Sequence, residues 1–191
     1  MMTLPALEFH PVTAERWPDL ERLFGEHGAY GGCWCMWWRL PRAQFTQQVG
    51  QKNKEALKAI VDSGEAPGLL AYADGEPIAW CSVAPRQAFP ALDRSRTLKR
   101  IDDQPVWSVV CFFVAKPFRR RGVMAPLLTA AVEYARAYGA KIVEGYPVEP
   151  TKALSGYSGY TGVVSAFRKL GFMEVAQRSG RPIMRYFCEE Q

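Results

Sequence analysis

Residues 106–114, VWSVVCFFV, form a nearly unbroken apolar run rich in β-branched and aromatic side chains. Such a run predicts a strand covered on both faces, hence one central to a sheet. Just beyond it the period changes. Val123, Leu127, Leu128, Ala131, Val132 and Ala135 recur at three- and four-residue intervals, with Glu133 and Arg136 between them, which predicts a helix with one buried face. Gly122 stands where the chain must turn tightly into that helix, and Gly139 stands where a left-handed cap would end it. Pro126 falls in the first turn, where a missing N–H is tolerated.

The same reading, carried along the chain, predicts a strand at 7–11 and a helix at 14–26. Thr13 is the N-cap of that helix, and Trp17, Leu20, Leu23 and Phe24 lie along one face. A polar helix follows at 45–63, then a hairpin of strands 68–73 and 77–84 around Asp74, Gly75 and Glu76. A strand at 141–149, a short helix at 163–170 and an antiparallel pair at 174–177 and 182–188 complete the list. The proline-containing insertion at 85–105 is expected to cover one edge of the sheet, and residues 150–162 form a loop rich in Gly, Ser and Tyr. The order β, α, α, β, β, β, α, β, α, β, β describes a mixed α/β sheet with helices on both faces.

Length fits a single domain spanning 1–191, large enough to bury its own core alone or as a homodimer. With 48% hydrophobic and 23% charged residues, the disordered and low-complexity classes are excluded. The net charge of +5 would suit nucleic acid, but the basic residues are spread out except at 119–121, so no nucleic-acid partner is expected. No stretch has the length of a membrane span and the N-terminal residues lack a signal-peptide pattern, which gives a cytoplasmic expectation with no membrane partner. Five cysteines, an odd number, then read as reduced and mostly buried thiols. Cys33-x-Cys35 near His27 lacks the further ligands of a zinc site, so no metal is expected.

The chemistry concentrates at the strand-to-helix junction. A helix start offers unpaired N–H groups and the positive end of a dipole, both suited to phosphate oxygens. Three consecutive arginines, Arg119, Arg120 and Arg121, add forked donors directly before Gly122. The run from Arg119 through Gly122 to Met124 resembles the R-x-x-G-x-(G/A) pyrophosphate loop of the GNAT superfamily of N-acetyltransferases. The segment from Ala166 through Phe167 to Phe172 is similar to that superfamily's helix ending in a lysine-leucine-glycine-phenylalanine turn. Three departures stand out: Met124 replaces the usual small residue, Phe167 occupies the place of a tyrosine that in many members protonates the departing coenzyme A thiolate, and the central strand has no glutamate at the family's usual place, Trp107, Ser108 and Cys111 being its only side chains with polar atoms.

What the resemblance implies is a mostly antiparallel GNAT-like sheet, acetyl-CoA as cosubstrate, and direct acetyl transfer to the amine of a small molecule or amino-acid-like acceptor. Pyrophosphate would lie on Arg119, Arg120, Arg121, Gly122, Val123, Met124 and Ala125. Pantetheine would pair with the central strand at Phe112, Phe113 and Val114, beside Phe167. Trp37, Trp38 and Arg39 lie in the region that caps the acceptor site in the family, with Arg39 facing a carboxylate. Glu144, flanked by apolar residues on the strand beside the cofactor strand, is the candidate base, and Tyr146 shares its face. Tyr157 and Tyr160 are further candidates for the acid. A non-catalytic acyl-CoA sensor, transfer of a different acyl group, and acylation of a protein or peptide remain as alternatives.

Overall fold

The computed structural model describes residues 5–149 and 159–188. Seven strands build one sheet: β1 (Leu7–Pro11), β2 (Gly68–Ala73), β3 (Glu76–Pro85), β4 (Trp107–Val114), β5 (Ile142–Gly145), β6 (Met173–Arg178) and β7 (Arg181–Phe187), in the order β1-β2-β3-β4-β5-β7-β6. Only β4 and β5 are parallel; every other neighbouring pair is antiparallel. The helices are α1 (Trp17–Phe24), α2 (Arg42–Gln47), α3 (Gln51–Asp62), α4 (Pro90–Arg94), α5 (Met124–Ala137) and α6 (Val164–Lys169).

The continuous apolar strands are explained by two cores. On one face, Leu127, Leu128, Ala131 and Ala135 of α5, with Val164 and Phe167 of α6, pack with Leu69, Ala71, Cys81, Val109 and Phe112. On the other, Trp17, Leu20 and Phe24 of α1 and Leu57 and Val61 of α3 pack with Leu70, Tyr72, Trp80 and Phe113. Consecutive residues of β2 thus alternate between cores, as the two-residue period of a strand requires when both faces are covered.

Three expectations change in detail. The helix at 14–26 is a short 3-10 turn, Ala14–Arg16, leading into α1, which stops where Gly25 takes a φ of 62°. The helix at 45–63 is two helices, α2 and α3, broken at Gly50, whose φ is 88° and whose N–H binds the Gly32 carbonyl at 2.9 Å. The insertion lies over a face rather than along an edge. Phe89, Leu92 and Leu98 are buried against Val110 of β4, Tyr146 and Ile183 of β7, because apolar side chains need a face to bury on, whereas an edge offers mainly backbone.

Candidate active site

β5 is too short to follow β4. Pairing runs only from Trp107 opposite Val143 to Val109 opposite Gly145, while β4 continues to Val114, so the two strands part at the middle of the sheet. Past the split, the Phe112 N–H donates to the Tyr160 carbonyl at 2.6 Å and the Ala115 N–H donates to Ile78 of β3 at 2.9 Å. Backbone direction alternates along a strand. Phe113 therefore turns its amide toward β3, and Val114 turns its amide toward the split. The Val114 carbonyl accepts from Arg119 Nε at 2.8 Å, and the Arg119 guanidinium also lies 5.8 Å from the Phe113 ring centre.

The turn into α5 has the backbone that its sequence requires. Gly122 has a φ of 83° and Arg120 a φ of 60°, so the chain is left-handed twice before the helix begins at Met124. Gly122 has open space where a Cβ would be; its role is conformational, not a close approach. The first-turn amides of Met124 and Ala125 precede Pro126, which has none. Arg121 stacks over Phe118 at 5.6 Å, and Arg119 and Arg120 are exposed.

On the opposite face of β4 from α5 lies a cavity of about 600 Å³. Its walls are aromatic and sulfur-rich: Tyr30, Trp37, Trp38, Phe45, Phe113 and Tyr160, with Cys33, Cys35 and Cys111. Arg42, Thr161, Arg181 and residues of the insertion complete it. Cys35 Sγ is 3.5 Å from Cys111 Sγ and accepts from Trp80 Nε1 at 2.9 Å. The hydrogen bond to Cys111 pushes the Cys35 thiol well up, and the hydrogen bond to Cys35, with burial, does the same for Cys33. Both thiols therefore stay protonated, and all five cysteines are free.

Well over half of the sequence, residues 34–153, matches the model of the acetyltransferase (GNAT) family. The chain belongs to that family. Solved structures share its fold. A GNAT acetyltransferase from Listeria monocytogenes superposes with a TM-score of 0.61 at 8% identity, covering 98% of this chain and 99% of that one. One from Streptococcus agalactiae gives 0.57 at 12% identity, with both chains fully covered. The PaiA N-acetyltransferase of Thermoplasma acidophilum, solved in complex with coenzyme A, gives 0.54 at 16% identity over 96% and 99%. No curated protein sequence matches the chain.

Within this GNAT fold the sequence-derived candidates divide. The loop 119–125, the split strand at Phe112 to Val114, and the cavity wall at Trp37 and Trp38 converge around β4. Phe167 packs edge-on to Phe112, its ring centre 6.2 Å away, and rests against the bare backbone of Gly145 and Gly162, where a Cβ would collide with it. Arg39 does not line the cavity. It donates to the Pro67 carbonyl at 3.1 Å and lies 4.6 Å over Phe89, and burial pulls its guanidinium down to about 10. His27 is exposed, and Tyr157 falls outside the described residues.

Glu144 and Tyr146 are likewise absent from the cavity's described lining. Glu144 is 2% exposed and held on both oxygens: Arg86 Nη1 lies 2.9 Å and the Tyr146 hydroxyl 2.7 Å from Oε1, and Arg185 Nε lies 2.7 Å from Oε2. The Tyr146 hydroxyl also accepts from Arg86 at 2.7 Å. Its one proton goes to Glu144, so Ser108, at 2.8 Å, donates to it. Burial, with the charge of Glu144, raises the Tyr146 phenol well above its ordinary value. The expected base and acid, Glu144 and Tyr146, are thus both engaged in a buried ion network outside the cavity's described lining. The apolar neighbours of Glu144 do not identify its partners, Arg86 and Arg185, which are remote in sequence. Among the described residues no group of three or more His, Cys, Asp or Glu side chains could hold a metal ion, and no helix is long and apolar enough to cross a membrane.

The network reaches the surface through Asp93 and Asp102. Burial pushes Asp93 up, but Arg86, at 2.8 Å, outweighs it, and the two-pronged hydrogen bond from Arg185 holds Asp102 down. Both carboxyls therefore titrate lower folded than unfolded. Their stabilisation is complete above the unfolded value, roughly pH 4, and is lost as pH falls through the folded values. Urea midpoints are expected to stay level from pH 7 to about 5 and to drop below 4. The Asp102→Asn variant should drop less steeply. A drop of wild-type slope in that variant contradicts the assignment.

Proposed function

We propose that this GNAT protein is an acetyl-CoA-dependent N-acetyltransferase that passes the acetyl group directly, within a ternary complex, to the amine of a small molecule or amino-acid-like acceptor. The observation that carries the reading is the meeting, on β4, of an anion-receptive helix start, a split strand and a walled aromatic cavity. The complex of the PaiA relative with coenzyme A supports acyl-CoA as the donor, and the aromatic lining of the cavity suits a small acceptor. Acetyl-CoA brings an acetyl group already activated as a thioester. Arg119 to Arg121 and the amides from Gly122 to Ala125 would hold its pyrophosphate.

The Val114 N–H, directed at the split, is the backbone donor suited to the pantetheine arm or the thioester carbonyl. The Phe112 N–H could serve only if the Tyr160 carbonyl yields it. Tyr160 takes the place of the missing acid: its side chain lines the cavity, and burial raises its phenol, so the proton is present at neutral pH.

Isothermal titration of coenzyme A into the wild type and an Arg120→Ala/Arg121→Ala variant tests the donor half. Two charge-assisted contacts are worth about 1.5–3 kcal/mol each, so affinity should fall at least roughly 100-fold without loss of the thermal unfolding transition. Equal affinity in the variant, or no binding by the wild type, would refute the donor assignment.

A further inference from the structure

The arginines near the cavity differ in what they face. Arg86 and Arg185 are each matched by carboxylates: Glu144 and Asp93 for the first, Glu144 and Asp102 for the second. Arg181, at the start of β7 and in the cavity wall, has no carboxylate within ion-pair reach among the described residues. Its Nη2 donates to the Tyr146 carbonyl at 3.0 Å, while its Nε is buried without a partner. A guanidinium carries five N–H donors, and a single bond leaves most of this one's capacity unused.

The rest of the wall has the same polarity. Arg42, stacked 3.9 Å over the Trp37 ring, is the second cation, and no Asp, Glu or His is among the described lining residues. The residues between Glu149 and Gly159 include none either. Thr161 contributes a buried hydroxyl that also lacks a partner. Burial lowers the Arg181 guanidinium with no opposing anion to restore it. A half-buried cation left uncompensated by its own protein is destabilising unless a ligand completes it.

We infer that the acceptor carries a carboxylate as well as its amine, and that Arg181 is the residue that selects for it. The inference rests on reading the cavity as the acceptor site, and it replaces the expected role of Arg39, whose Nε is likewise unpartnered but which lies between Pro67 and Phe89 outside the cavity's described lining. The aromatic wall then takes an apolar side chain, so the favoured acceptors are hydrophobic or aromatic amino acids. Simple amines and polyamines, which bring a cation to a cationic wall, are disfavoured.

The experiment compares matched pairs, L-phenylalanine with 2-phenylethylamine and L-leucine with 3-methylbutylamine, in wild type, Arg181→Gln and Arg181→Lys. Binding is read from tryptophan fluorescence, since Trp37 and Trp38 line the cavity, and turnover with acetyl-CoA is read from thiol release. The wild type should prefer each amino acid by roughly 30-fold or more, the scale of a charge-assisted contact. The preference should vanish in Arg181→Gln and return in part in Arg181→Lys.

Equal treatment of each pair by the wild type overturns the inference, as does a preference that survives in folded Arg181→Gln or no carboxylate-dependent signal in either readout. The two readings can fail separately. Thiol release with every amine alike keeps the acetyltransferase reading and removes this one. Arg181-dependent binding of the amino acids without thiol release keeps the carboxylate site and removes acetyl transfer.

Discussion

Replacing Glu144 with alanine is expected to lower stability by about 3–5 kcal/mol, a large share of the total stability of a domain. The side chains of Arg86, Glu144 and Arg185 are 3%, 2% and 4% exposed. Removing the carboxylate leaves two buried guanidiniums with only their part-exposed aspartates, Asp93 and Asp102, and strips the Tyr146 hydroxyl of its acceptor. The thermal midpoint should fall by roughly 6–20 °C for a chain of this size. Glu144→Gln separates this reading from a catalytic one. Its carbonyl can still accept from Arg86 and Tyr146, but its amide nitrogen would face Arg185. A partial loss of stability is expected, with turnover of the folded fraction held within a few-fold of wild type. A catalytic base would show the reverse: near-native stability and a loss of roughly 100-fold or more. That outcome, measured well below the unfolding transition, would return Glu144 to the active site.

The Glu144 network also shows where sequence reading stops. β4 and α5 were legible because each is governed by local periodicity, and the turn between them because Gly122 has a local conformational job. The arginine triplet before it pointed to anion chemistry for the same reason. The break between α2 and α3 at Gly50 was missed because polar residues on either side match helical composition, while the break depends on a contact with Gly32, remote in sequence. Arg39 and Arg181 make the same point within the site. Arg39 lies among the cavity's own tryptophans in sequence, yet it turns to Pro67 and Phe89. Arg181 lies in an ordinary strand start, and only the placement of β7 next to β5 brings it to the cavity. Polarity of a wall is a sum over segments that meet only in three dimensions, so a linear pattern carries little of it.

The absence of carboxylates and histidines from the described wall of the cavity governs the expected pH profile of acetyl transfer. An amine attacks a thioester only when unprotonated, and the wall offers protonated thiols, Tyr30, Tyr160 and two arginines in place of an ordinary base. Direct transfer should therefore draw on the small neutral fraction of the acceptor. Below the acceptor amine's own pKa, kcat/KM should rise about tenfold per pH unit, since that fraction does. The rise should level off at the acceptor's pKa and move with it when a less basic amine is used. Because burial raises the Tyr160 phenol above its ordinary value of about 10, loss of its proton should cause no fall in rate below that pH. Tyr160→Phe should lower kcat by roughly 100-fold or more while leaving the rising limb where it is. A rising limb fixed near pH 6–7 for every acceptor would instead identify a base in the protein, and would end the proposal that the amine arrives neutral from solution.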